Sequence, residues 1–105
     1  MMKLRNLGQD ELKYVYERGK ERVKYHPELA EKYRKMIETH PFYKDRDEAL
    51  KMAVQKSNNS LRKYQVWAKV GKDEEYFFIQ DYYIVSNDYR ILIAAEYIGM
   101  EQISY

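Results

Sequence analysis

The chain contains no cysteine, which excludes disulfides, thiolate metal sites and thiol nucleophiles together and suits a reducing compartment. Its four glycines and two prolines are too few for a glycine-rich phosphate loop, a flexible linker or a low-complexity segment. Long hydrophobic runs are missing as well. Nothing approaches the roughly 18 apolar residues of a membrane-spanning helix, and the opening MMKLRNLGQDEL lacks the apolar stretch of a signal peptide. The expectation is a cytoplasmic protein with no membrane partner, in which the Asn58-Asn59-Ser60 glycosylation sequon is a chance match. Only two histidines occur, His26 and His40, each before a proline. No HxxxH motif or carboxylate cluster supplies further ligands, so no metal is expected. Ser57, Ser60, Ser86 and Ser104 sit in no Gly-x-Ser-x-Gly elbow, and Asp45 and Asp47 read as helix caps rather than an acid/base pair. No catalytic residue, cofactor or small-molecule substrate is evident, and the chain reads as a non-enzyme.

What the chain does have is an uneven charge and many tyrosines. Its 105 residues suit one small domain, of a size that buries roughly 60 to 70% of its unfolded surface. Residues 1–63 carry 16 Lys/Arg against 10 Asp/Glu, and residues 64–105 carry 3 against 7. The formal charge of +2 therefore joins a basic, helical first part (1–60) to an acidic, aromatic second part (61–105). Twelve tyrosines supply a residue type that serves interfaces as well as cores, since the ring is apolar and its tip polar.

The organising stretch is Lys63 to Val85, which reads as a β-hairpin. Tyr64, Val66, Ala68 and Val70 alternate with Gln65, Trp67 and Lys69, the period of a pleated strand. Gly71 to Glu74 is the expected turn, about four residues long. In the second arm Tyr76, Phe78 and Gln80 fall on one parity and Phe77, Ile79 and Asp81 on the other, so both faces carry aromatics. A lone hairpin is marginal in water and needs a helix or strand against it.

Before the hairpin the periodicity is helical. A first helix is expected over about Gln9 to Tyr25, with Leu12, Val15, Tyr16, Gly19 and Val23 in one sector of about 100°. Pro27 suits the first position of a second helix, which places Leu29, Tyr33, Met36 and Ile37 together and ends near Thr39 before the His40-Pro41 break. A third begins at Asp45-Arg46-Asp47-Glu48, a pattern resembling a capping box, turns Leu50, Ala53, Val54 and Ser57 inward, and stops at Asn58-Asn59-Ser60. The tail reads as a helix over about Asp88 to Ile98, with Ile91, Leu92, Ala95 and Ile98 on one face and Gly99 as its left-handed cap; a third β-strand is the alternative. The predicted fold is α+β: three N-terminal helices packed on one face of an antiparallel hairpin, then a C-terminal helix.

Two constellations suggest binding. The acidic, aromatic one gathers Trp67, Asp73, Glu74, Glu75, Phe77, Ile79, Asp81 and Tyr83. If Val66, Ala68 and Val70 face the helices, Trp67, Phe77 and Ile79 remain on an uncovered side as an apolar patch with an acidic rim, fit for another protein or a second copy of the chain. The plainer explanation is a polar turn whose acids guard an edge strand, with the tail folded over the patch. The basic one is Tyr14, Arg18, Lys20, Lys24 and Tyr25 on the first helix, with Arg34, Lys35, Arg62 and Lys63 nearby. It could stack on bases and meet phosphates, or be an ordinary solvated face balanced by Glu17 and Glu21. A short, cysteine-free chain rich in Tyr and Lys has the general look of small proteins encoded by phages and mobile elements. The leading expectation is a non-enzymatic protein-binding module, an inhibitor or adaptor of a larger, nucleic-acid-handling protein. The rival is direct DNA or RNA binding through the first helix.

Overall fold

The structure, a computed structural model, describes residues 3–57 and 63–105. Helix α1 spans Gln9–Tyr25 and α2 spans Pro27–Glu38, separated at His26, whose backbone is pushed out of helical geometry as expected ahead of a proline. A short strand β1 (Phe42–Tyr43) leads to α3 (Arg46–Ser57). The Asp45 carboxylate caps α3 by accepting from Asp47 N at 2.7 Å and Glu48 N at 3.1 Å, which satisfies two of the donors that a helix start leaves free. Strands β2 (Tyr64–Asp73) and β3 (Tyr76–Ser86) form the hairpin, followed by α4 (Tyr89–Tyr97) and β4 (Met100–Gln102). The proposed stop of α3 at Asn58-Asn59-Ser60, and Arg62, lie outside the described residues. No helix among the described residues is long and apolar enough to cross a membrane.

The fold is α+β, with four helices and a four-stranded antiparallel sheet ordered β1-β3-β2-β4. The tail is both helix and strand: Asp88 caps α4 by accepting from Arg90 N at 2.9 Å, and Gly99 turns the chain at φ 85° into β4. Beyond β4 the N-terminal segment continues the sheet, Lys3 N donating to Tyr105 O and Arg5 N to Ile103 O, each at 2.8 Å.

Two features of the hairpin differ from the sequence reading. Gly71 lies inside β2, and the turn is the two residues Glu74-Glu75, since Asp73 pairs with Tyr76. Glu74 carries the positive φ, 55°, that tight hairpins require at a central position and that glycine or asparagine usually supplies. A β-bulge also shifts the register: Lys69 pairs with Asp81 but Val70 with Ile79, so Gln80 is the extra residue and the parity of β3 flips beyond it. Phe77 and Ile79 therefore join Val70 rather than Trp67. The anticipated patch of Trp67, Phe77 and Ile79 is divided between two faces.

Both faces are covered, at the expense of the three-helices-on-one-face arrangement. On one, α3 presents Ala49 and Ala53 to Val66, Ala68 and Ile84. On the other, Ile37 of α2 and Ala94 and Ala95 of α4 bury Trp67, Tyr83 and Val85. Small residues form these contacts because they let helix backbones approach the sheet. Ala30, Ala49 and Ala53 are buried, whereas Leu29 and Val54, expected in the core, are 40% and 50% exposed. Helix α1 crosses the outer half of the hairpin. Gln9 clamps β3 at its start, accepting from Phe77 N at 3.1 Å and donating to Phe77 O at 2.7 Å; Leu12 and Val15 then pack on Val70 and Phe77. Gly19 meets Gly99 past the edge of β2, so closely that a Cβ on Gly19 would lie 2.5 Å from Gly99 Cα.

Trp67, at 3% exposure, should emit blue-shifted fluorescence protected from iodide and independent of protein concentration. Emission that moves to the red on dilution would mean that a partner rather than α2 and α4 covers it. Alanine normally improves a helix over glycine by about 1 kcal/mol. Gly19→Ala should instead lower stability by about 2 kcal/mol, measured by urea unfolding, because the added methyl meets backbone that cannot move aside.

Candidate functional site: the outer end of the hairpin

The sheet is longer than its cover. Nine-residue α4 extends about 13 Å at 1.5 Å per residue, while ten-residue β2 extends about 33 Å. The face bearing Trp67 and Tyr83 is sealed at its inner half only. At the outer half, where β4 has ended and β2 has a free edge, an open cleft of about 380 Å³ separates the hairpin from the flank of α1. Tyr16, Gly19, Lys20 and Val23 form one wall, Lys69 to Lys72 with Gln80 the other, and Ile98-Gly99 the end. Among the described residues no ion pair includes Lys20, Lys69 or Lys72. Lys20 Nζ lies 5.7 Å from the centre of the Tyr16 ring and Lys72 Nζ 5.6 Å from that of Phe77, positions held by weak cation–π attraction that an anion could replace.

Just beyond the cleft is the hairpin tip. Lys72 to Tyr76 are exposed without interruption. They bring Asp73, Glu74 and Glu75 beside Tyr76, which is 62% exposed.

The other residues of the acidic constellation are placed differently. Trp67 and Tyr83 are buried neighbours across the ladder, and Trp67 Nε1 donates to Gln65 Oε1 at 2.9 Å. Phe77 is buried beneath α1 and packs on Tyr16, while Ile79 is half-buried between two clusters. Asp81 is 6% exposed and its carboxylate pairs with Lys44. Thus Trp67, Phe77, Tyr83 and Asp81 are spent within the chain, and of the eight residues only the three acids of the tip are fully presented.

The basic constellation divides too. Arg18 is held between Tyr14, whose ring centre lies 5.3 Å from the guanidinium carbon, and Glu101, whose carboxylate is 3.5 Å away. Glu101 also holds Arg5 at 3.1 Å, and Arg5 reaches Glu11. This partly buried network ties the N-terminal segment, α1 and β4 together and engages the Arg18 guanidinium with Glu101. Lys24 rests against Tyr25 at 6.0 Å. Lys20 alone turns into the cleft, where it meets two lysines that sequence reading did not single out. The signal for Lys69 was its place in Trp67-Ala68-Lys69-Val70, a lysine in an apolar strand; nothing in the sequence showed that α1 would bring Lys20 to it. Among the described residues no group of three His, Asp or Glu is placed to hold a metal ion. No known protein family, curated protein or solved structure matches the chain.

Burial holds the Tyr83 phenol above its ordinary value, and the negative charges of Asp81 and Glu38 add to this. A group raised on folding gives up its proton first in the unfolded chain, so its contribution is intact below the ordinary phenol value of about 10 and is lost as pH climbs through the folded value. Stability followed by urea unfolding should fall above about pH 10, and Tyr83→Phe should flatten part of that fall. An unchanged alkaline limb would place the phenol in water.

Proposed function

We propose that the chain is a non-enzymatic protein-binding module, a small inhibitor or adaptor that presents the acidic end of its hairpin to a basic surface on a larger protein. The observation that carries this reading is the tip itself: three consecutive carboxylates beside an exposed tyrosine, none of them engaged in an ion pair among the described residues. Holding a non-glycine residue at positive φ costs about 1 kcal/mol or more. Glu74 occupies such a position, so charge is kept at the turn where glycine would fold more easily. Clustered carboxylates raise the encounter rate with cationic surfaces and repel phosphates. That favours a protein groove rich in Lys and Arg, including one built to hold nucleic acid, over nucleic acid itself.

Direct DNA or RNA binding by α1 is the second reading, favoured by Tyr14 and Tyr25 at 63% and 65% exposure and opposed by the engagement of Arg18 with Glu101. It calls for base stacking, and no polarisation change with a labelled single strand at low salt would remove it.

For the leading reading, a short arginine-rich peptide should bind saturably, more weakly as salt is added. Glu74→Lys with Glu75→Lys should weaken it at least about tenfold, while Glu28→Lys on α2 leaves it unchanged. Peptide binding that is absent, or indifferent to the tip variant, overturns the reading.

A further inference from the structure

We infer that the cleft between α1 and the free edge of β2 is a binding site for a phosphate-bearing anion of about nucleotide size. Its volume, about 380 Å³, lies in the range of small-molecule sites, and its lining of Tyr16, Val23, Val70 and Ile98 with three lysines and Gln80 gives an apolar seat ringed by cations. Lys69 is the informative member. It is half-buried in the strand at the middle of the sheet, between Asp81 on β3 and Met100 on β4. The carboxylate opposite it is held by Lys44. Lys69 itself enters no ion pair among the described residues, so its ammonium is available to an incoming anion.

The backbone adds a donor. Val70 N donates to Gly99 O at 3.3 Å, so this edge of β2 turns outward at Val70, and strand alternation turns Lys72 N–H to the same side, where no strand follows. The Lys72 side chain and its own N–H at the mouth of the cleft can then hold one phosphate group, while Lys20 on the opposite wall and Lys69, which leaves β2 from its other face, add positive charge along the lining; lysine serves phosphate as a point charge. Glycine keeps the space open. A Cβ on Gly71 would lie 3.0 Å from Phe78 Cζ and 3.4 Å from Gln80 Oε1, so any larger residue there crowds the cleft. The acids at the tip, Asp73 to Glu75, lie outside the lining.

The shared chemistry is phosphate, which a free nucleotide or the end of a nucleic-acid strand could bring. Inorganic pyrophosphate, ATP and a short oligothymidylate, each titrated into the full chain at low salt by amide NMR, distinguish these sources. Saturable shifts at Lys69 to Lys72, Gly19 and Gly99 with pyrophosphate and ATP support a free-nucleotide site. The same shifts with the oligonucleotide alone support a strand end. In either case Lys69→Gln with Lys72→Gln should weaken binding at least about tenfold, with Trp67 emission unchanged to show an intact fold, while Lys13→Gln with Lys24→Gln, outside the cleft, should have little effect. Gly71→Val, which fills the cleft and keeps every charge, should weaken it comparably. No shifts with any probe, or binding that tracks total lysine number rather than Lys69 and Lys72, overturns the inference.

Discussion

The approach of Gly19 to Gly99 is the contact on which the arrangement of this chain depends. It brings α1 against the turn after α4, and that turn starts β4, whose pairing with Trp67, Ala68 and Lys69 closes one side of the hairpin. A side chain at Gly19 would push α1 outward and open the junction between the helical first part and the hairpin. Gly99 adds a second demand, since its φ of 85° suits glycine above any other residue. Gln9 at the beginning of α1 and Gly19 near its middle are thus two fixed points, and the intervening turns lie over Val70 and Phe77.

Everything presented to solvent at the outer end follows from how far that cover reaches. Inside, the sheet is sealed on both faces by small helical residues; outside, α4 is too short to continue, and α1 covers only the face of Val70 and Phe77 before passing the edge of β2 at Gly19. The hairpin ends in two surfaces of opposite sign only a few residues apart, a lysine-lined cleft and an acidic tip.

Much of this was legible in the sequence. The limits of α1, the break at Pro27, the cap at Asp45, the strands of the hairpin and the role of Gly99 each rest on a local rule: periodicity, proline sterics, side-chain capping, or the left-handed region. What was not legible depends on events without a local signature. The bulge at Gln80 follows no glycine or proline, yet it exchanges the faces of Phe77 and Ile79. Strands β1 and β4, two and three residues long, are too short to show a period. In α2 and α3 hydrophobicity favoured Leu29 and Val54, whereas close packing chose Ala30 and Ala49. The functional surfaces were half visible: the tip acids were found, but Lys69 and Lys72 gained meaning only when the course of α1 set Lys20 opposite them.

The chain covers the inner half of its own hairpin on both faces and the outer half on the face of Val70 and Phe77 alone, under α1, leaving the tip and the free edge of β2 open. Native-state hydrogen exchange on the dilute protein tests it residue by residue. The amides of Val66, Ala68 and Ile84 should exchange slowly, near the rate set by global unfolding, while those of Lys72 to Glu75 exchange faster by orders of magnitude. Uniform protection along β2 out to Asp73, or rapid exchange at Val66 and Ala68, would contradict the account.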